Sequence, residues 1–71
     1  MLRFDSKALY AALDAQRTER GMTWRKVSAE IGVATTTITR TKTGVRLEVD
    51  SMLAMVAWLG SPVERFVRNW K

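Results

Sequence analysis

The sequence predicts an all-α domain, a compact bundle of five short helices. Three observations carry this. Apolar residues recur at i, i+3 and i+4 along most of the chain, the period of a helix face. Helix-start residues and helix-stop glycines alternate at helix-length intervals. The chain has 71 residues, 46% of them apolar, which is enough for one core and leaves no room for a second.

The first helix starts at the N-cap pair Asp5-Ser6 and runs to about Arg20, with Ala8, Leu9, Ala12 and Leu13 as its apolar face. Gly21 stands where a left-handed residue closes a helix. Leu2 and Phe4 precede this helix and are expected to fold back on it as a hydrophobic staple. Thr23 caps a second helix that ends near Ile31, with Val27 and Ile31 inward and Gly32 as its stop. A third helix runs from about Ala34 or Thr35 to Lys42 and ends at Gly44. Its Thr35-Thr36-Thr37-Ile38-Thr39 run is β-branched and reads locally as a strand. A lone strand there would have no partner, so the segment is assigned as a helix held by packing rather than propensity.

Asp50, or Val49-Asp50, is expected to cap a fourth helix reaching Leu59, whose apolar set is Met52, Leu53, Met55, Val56 and Leu59. Ser61-Pro62-Val63-Glu64 has the form of a capping box with Pro at the first helical position. It predicts a fifth helix carrying Val63, Phe66, Val67 and Trp70.

Composition narrows the function. There is no Cys, hence no disulfide framework and no thiolate metal site, which fits a cytosolic protein. There is no His, which removes the commonest general base and zinc ligand. The carboxylates are scattered and no Gly-rich phosphate loop is present, so the expectation is a non-enzymatic protein without metal, cofactor or small-molecule substrate. No stretch approaches the roughly 18 apolar residues of a membrane span, and the first residues include Asp5 and no secretory apolar core. The net charge is +5. From Arg20 to Arg46 six cations (Arg20, Arg25, Lys26, Arg40, Lys42, Arg46) face only Glu30, so this segment holds the whole excess. Such a concentration suits an anionic partner.

The same segment holds the most informative motif, Thr23 to Gly44, TWRKVSAEIGVATTTITRTKTG. Two short helices meet at a tight turn around Gly32, Val27, Ile31, Val33 and Ile38 form an apolar wedge, and small Ser28 sits at the close approach. This is what a helix-turn-helix spanning about 23–42 requires.

In Thr23, Val27, Ser28, Gly32, Val33, Ile38, Arg40 and Gly44 the segment resembles the lambda-repressor/Cro-like (Xre-type) family. The resemblance extends over the flanking helices, including MLAMVAWLG, from about Ser6 to Val67. It implies a lambda-repressor-like domain, with the helix-turn-helix formed by the second and third helices. It also implies sequence-specific binding of double-stranded DNA and a repressor-like, cytoplasmic transcriptional regulator of prokaryotic or phage type. Thr35, Thr36 and Arg40 match the family's main base-reading positions, with Thr39 secondary. Arginine at such a site can bond guanine in bidentate fashion, and threonine offers a methyl or a hydroxyl. Trp24, Arg25, Lys26, Lys42, Thr43 and Arg46 are the phosphate candidates, with Arg20 beside them.

Departures from the family pattern are plain. Trp24 replaces the usual Gln, and either donates its indole N–H to phosphate or packs. Lys42 replaces an acid that usually pairs with an arginine of the first helix, so Arg17 must find Asp14, Glu48 or a phosphate instead. Thr41 occupies a position that is usually apolar. The base-reading candidates have plainer readings too: solvated helix surface for the threonines, and an ion pair with Glu30 for Arg40.

The last two helices carry more apolar bulk than one narrow face can bury, so an exposed apolar patch is expected. A weak homodimer through Val63, Val67, Trp70 and Trp58 follows, with two recognition helices about 34 Å apart. Two other readings stand beside the DNA-binding one. The chain could be a protein-interaction module, such as an antitoxin-like protein that binds a partner through its C-terminal apolar patch. It could also be a basic domain for RNA or a membrane surface.

Overall fold

The computed structural model describes residues 1–69. In chain order it contains strand β1 (Leu2–Phe4), helices α1 (Ser6–Glu19), α2 (Trp24–Ile31), α3 (Thr35–Lys42) and α4 (Val49–Leu59), a 3₁₀ turn (Val63–Phe66) and strand β2 (Val67–Asn69). The architecture is mostly helical, with four α-helices around one core and a two-stranded ribbon joining the ends.

Local chemistry sets the helix boundaries. The Asp5 carboxylate accepts from the Ala8 amide at 3.0 Å and caps α1. The Thr23 hydroxyl accepts from the Lys26 amide at 3.2 Å and caps α2. Both side chains satisfy amides that have no partner within the helix. Gly32 ends α2 in the left-handed region at φ 85° and returns its N–H to the Ser28 carbonyl. A β-carbon would be strained there. The α4 start differs from expectation. Glu48 takes the N-cap position without a side-chain cap bond, and Asp50 lies inside the first turn, where its charge still favours the helix dipole.

The core gathers Leu9 and Leu13 of α1, Val27 of α2, Ile38 of α3, Met55 and Val56 of α4, and Phe66 of the 3₁₀ turn. Thr41 is fully buried among them, which explains how a polar residue occupies an apolar position: its hydroxyl donates to the Ile38 carbonyl at 2.6 Å. The β-branched threonine run is helical, with Ile38 and Thr41 packed inward.

The fifth helix is replaced by a 3₁₀ turn and a strand. Pro62, expected inside the helix, sits at the N-cap position of the turn. The Ser61 hydroxyl accepts from Arg65 Nη1 at 2.9 Å instead of capping backbone. Four residues then suffice to bury Phe66, and the chain continues extended, pairing antiparallel with β1 in the register Leu2↔Asn69, Arg3↔Arg68, Phe4↔Val67. The Asp5 amide extends the pairing by donating to the Phe66 carbonyl at 2.7 Å. Residues 2–4 thus form a strand against β2 rather than a staple on α1. Phe4 packs on Phe66 at 5.9 Å between ring centroids, whereas Leu2 stays 71% exposed.

Candidate nucleic-acid interface

Helices α2 and α3 are joined by the three residues Gly32–Ala34. The Ser28 hydroxyl reaches across this turn to donate to the Val33 carbonyl, and the Val33 amide donates back to the Ser28 carbonyl at 3.3 Å. A small hydroxyl residue at position 28 thus locks the turn as well as permitting close approach. Ile38 and Thr41 anchor α3 on the core, leaving Thr35, Thr36, Thr39 and Arg40 exposed on its other side.

These four residues are not equivalent. The Thr39 hydroxyl donates to the Thr35 carbonyl at 3.0 Å, so its proton is committed while the residue stays exposed. Thr35 and Thr36 occupy the first turn of α3, the end that a groove-reading helix presents. Arg40 forms no ion pair among the described residues. Its alternative partner, Glu30, accepts instead from the Trp58 indole N–H at 3.0 Å.

The phosphate candidates divide in two. Arg25 and Lys26 are exposed on the first turn of α2, and Arg46 is exposed in the loop between α3 and α4. Trp24 and Lys42 are engaged. The Trp24 ring stacks on Tyr10 at 5.3 Å, the Arg17 guanidinium lies over the Trp24 ring at 4.8 Å from its centroid, and Lys42 Nζ is 6.0 Å from the Tyr10 ring. This ladder ties α1 to both α2 and α3 through cation–π contacts. Trp24 therefore packs, as one of its two readings held. Arg17 is bound to Asp14 at 2.7 Å and to the Met22 carbonyl at 3.0 Å, which frees it from any clash with Lys42. The Thr43 hydroxyl donates to the Arg40 carbonyl at 2.8 Å. Arg20 stacks over Trp58 at 5.1 Å, outside the α3 surface.

Of the expected dimer residues, Val63, Val67 and Trp58 are half-buried, and Trp70 lies outside the described residues. Trp58 is latched to α1 and α2: its carbonyl accepts from Gln16 at 3.2 Å and its indole N–H donates to Glu30. The large apolar side chains that remain exposed are others, namely Met1, Leu2, Val45, Val49 and Leu53.

No family model, curated protein or solved structure matches the chain.

The functional reading thus rests on residues and geometry. Among the described residues no cluster of three or more acidic side chains could hold a metal ion, and no helix is long and apolar enough to cross a membrane. Sequence reasoning gave no role to Tyr10, which completes the aromatic ladder, or to Arg3, Lys7 and Arg68, which the ribbon brings to one groove. Core residue Leu13, three positions on along α1, offered a weak signal for Tyr10. Nothing local offered one for the ribbon.

Proposed function

We propose that the chain binds double-stranded DNA sequence-selectively, as a repressor-like transcriptional regulator of the cytoplasm, with α3 seated in the major groove. The observation that carries this is the face of α3. A helix anchored on the core by Ile38 and Thr41 turns Thr35, Thr36, Thr39 and Arg40 to solvent, and Arg40 has no acidic partner among the described residues. Around it Arg25, Lys26, Lys42 and Arg46 supply positive charge for phosphates. In this reading the fold is a lambda-repressor/Cro-like domain whose last helix is replaced by a ribbon. The chain acts by binding, not by catalysis, and needs no cofactor. A weak homodimer, with Val63, Val67 and Trp58 contributing, would set two copies of α3 one duplex turn apart.

Arg40 is assigned to a guanine edge, worth about 1–3 kcal/mol of discrimination. Selection of bound duplexes from a randomised pool tests the reading. An enriched motif containing a guanine, in one or two half-sites, is the expected result. Recovery of unenriched sequence at every round would refute sequence-selective binding.

A second reading has one observation in its favour. Leu2, Val45, Val49 and Leu53 leave apolar area exposed on a chain this small. A protein-interaction module of antitoxin type would use such area, and co-purification of a partner with no duplex binding would favour it.

A further inference from the structure

The two edges of the terminal ribbon are unlike. The Asp5 amide donates to the Phe66 carbonyl, and the register sets Phe4 opposite Val67. Bonded and unbonded pairs alternate in an antiparallel ladder, so the backbones of Arg3 and Arg68 are bonded, while Leu2 and Phe4 turn their N–H and C=O groups away from β2. By the same alternation Val67 and Asn69 face outward on the other side. There Arg68 Nη1 donates to the Val67 carbonyl at 3.3 Å and covers part of the edge. On the β1 side the outward groups of Leu2 and Phe4 have no partner among the described residues. An unpaired edge of this kind is a template for another extended chain.

A groove of about 490 Å³ lies against β1, and no residue of β2 lines it. Its volume falls in the range of clefts that hold ligands, about 300–1,000 Å³. Leu2 and Phe4 line it from β1, Val45 and Leu47 from the loop between α3 and α4, and Met52 from α4. Leu2 and Val45 are 71% and 44% exposed. The loop is held in place. The Ser6 hydroxyl donates to the Val45 carbonyl at 3.2 Å, and Leu47 packs against the core. The lining includes no acid. Arg46, which also lines the groove, is exposed and in no ion pair among the described residues.

These features specify one kind of occupant. The unpaired backbone groups fit an extended chain, the apolar lining fits alternate side chains of that chain, and Arg46 fits an acid beside them. A nucleic-acid backbone would have to desolvate phosphates against Leu2, Val45 and Met52. A second copy of β1, paired over all three residues, would set Arg3 opposite its own equivalent, and like charges directly opposite are destabilising.

We propose that β1 and this groove receive an extended segment of a protein partner, apolar at alternate positions and carrying an acidic residue, which adds to the ribbon as a third strand. The proposal rests on the protein-interaction reading above and is independent of duplex binding by α3.

The test selects ligands for the immobilised full chain from a phage-displayed library of random peptides of up to about ten residues, the upper range of a strand. Enrichment of alternating apolar residues with an Asp or Glu is expected. The enriched peptide is then synthesised and each of its amides N-methylated in turn, with affinity read by fluorescence anisotropy. A third strand bonds to Leu2 and Phe4 only, so methylation should weaken binding by about tenfold or more at two amides, with a tolerant amide between them. Val45→Asp should weaken the peptide by about tenfold or more. Arg46→Gln should lower its affinity and flatten its salt dependence. Leu53→Asp, at an exposed apolar site of α4 outside the groove, should change nothing. If Val45→Asp unfolds, the methylation scan needs no variant of the chain and decides alone. Peptides that lose binding to Leu53→Asp and keep it to Val45→Asp would overturn the groove and leave the protein-interaction reading standing. No enrichment by a chain with native circular dichroism would overturn both, and leave duplex binding untouched. A helical spacing of apolar residues, or a scan without alternation, would overturn strand addition. A dimer in sedimentation that Leu2→Asp dissociates would assign the edge to a second copy and overturn the proposal.

Discussion

The α2–α3 pair and the terminal ribbon both close the core, but over very different chain distances. In the pair, the bonds that shape the caps and the turn are short-range: Thr23 to Lys26, Gly32 to Ser28, and Ser28 to Val33, five residues apart. In the ribbon, Leu2–Phe4 meets Val67–Asn69, and the Asp5 amide meets the Phe66 carbonyl. Short-range bonds cost little closure entropy, whereas joining the chain ends costs more and must be offset by burial. Phe66, 2% exposed and packed on Phe4, supplies that burial. The pair is therefore a local unit presented by the core, and the ribbon is a product of the core.

This difference makes Phe66 the most sensitive position. Phe66→Ala should cost about 3–5 kcal/mol, a large part of the stability of a domain this small. Urea unfolding followed by helical circular dichroism should show the whole helical signal destabilised together. A loss below about 1 kcal/mol would mean that the ribbon docks on an already complete core.

The contrast also explains what could be read in the sequence. The caps at Asp5 and Thr23, the stop at Gly32 and the four helices were legible because each signal acts within a turn or two of its residue. The threonine run was legible through its neighbours, since a strand at 35–39 had no room to pair. The ribbon was not legible. Each strand has three residues, too few for a periodic pattern, and its partner lies at the other end of the chain. Ser61-Pro62-Val63-Glu64 looked like a helix start, but a capping box commits only one turn, and here one 3₁₀ turn is what forms. The two latches of Trp58, to Glu30 of α2 and Gln16 of α1, could not be read from a helix face. For the candidate site, Thr35, Thr36, Thr39 and Arg40 were legible only through the family resemblance of the 23–44 segment. The Thr39 back-bond and the stacking of Trp24 on Tyr10 required three-dimensional contacts.

Smaller effects probe the local unit alone. Gly32→Ala meets no neighbouring atom within 4 Å, so its cost is backbone strain only. It should destabilise by roughly 1–2 kcal/mol, seen as a lower melting temperature. An unchanged melting temperature would show that the turn tolerates a β-carbon at φ 85°. Thr23→Ala removes the cap of α2 and should cost about 1 kcal/mol. Native-state hydrogen exchange should show faster exchange at the Lys26 amide in that variant, while the Asp5 amide of the ribbon exchanges as before. Equal acceleration at both sites would mean that the two regions open as one.

The decisive comparison is between Arg40→Ala and Lys26→Ala, each measured on the selected duplex and on a scrambled one. Both residues are exposed and both are cations, so a purely electrostatic surface treats them alike. With α3 reading bases, Arg40→Ala lowers the ratio of selected to scrambled affinity by roughly 5- to 150-fold, the equivalent of about 1–3 kcal/mol. Lys26→Ala then weakens both duplexes equally and lowers the salt slope by about 0.9. An unchanged ratio in Arg40→Ala would contradict base reading by this helix.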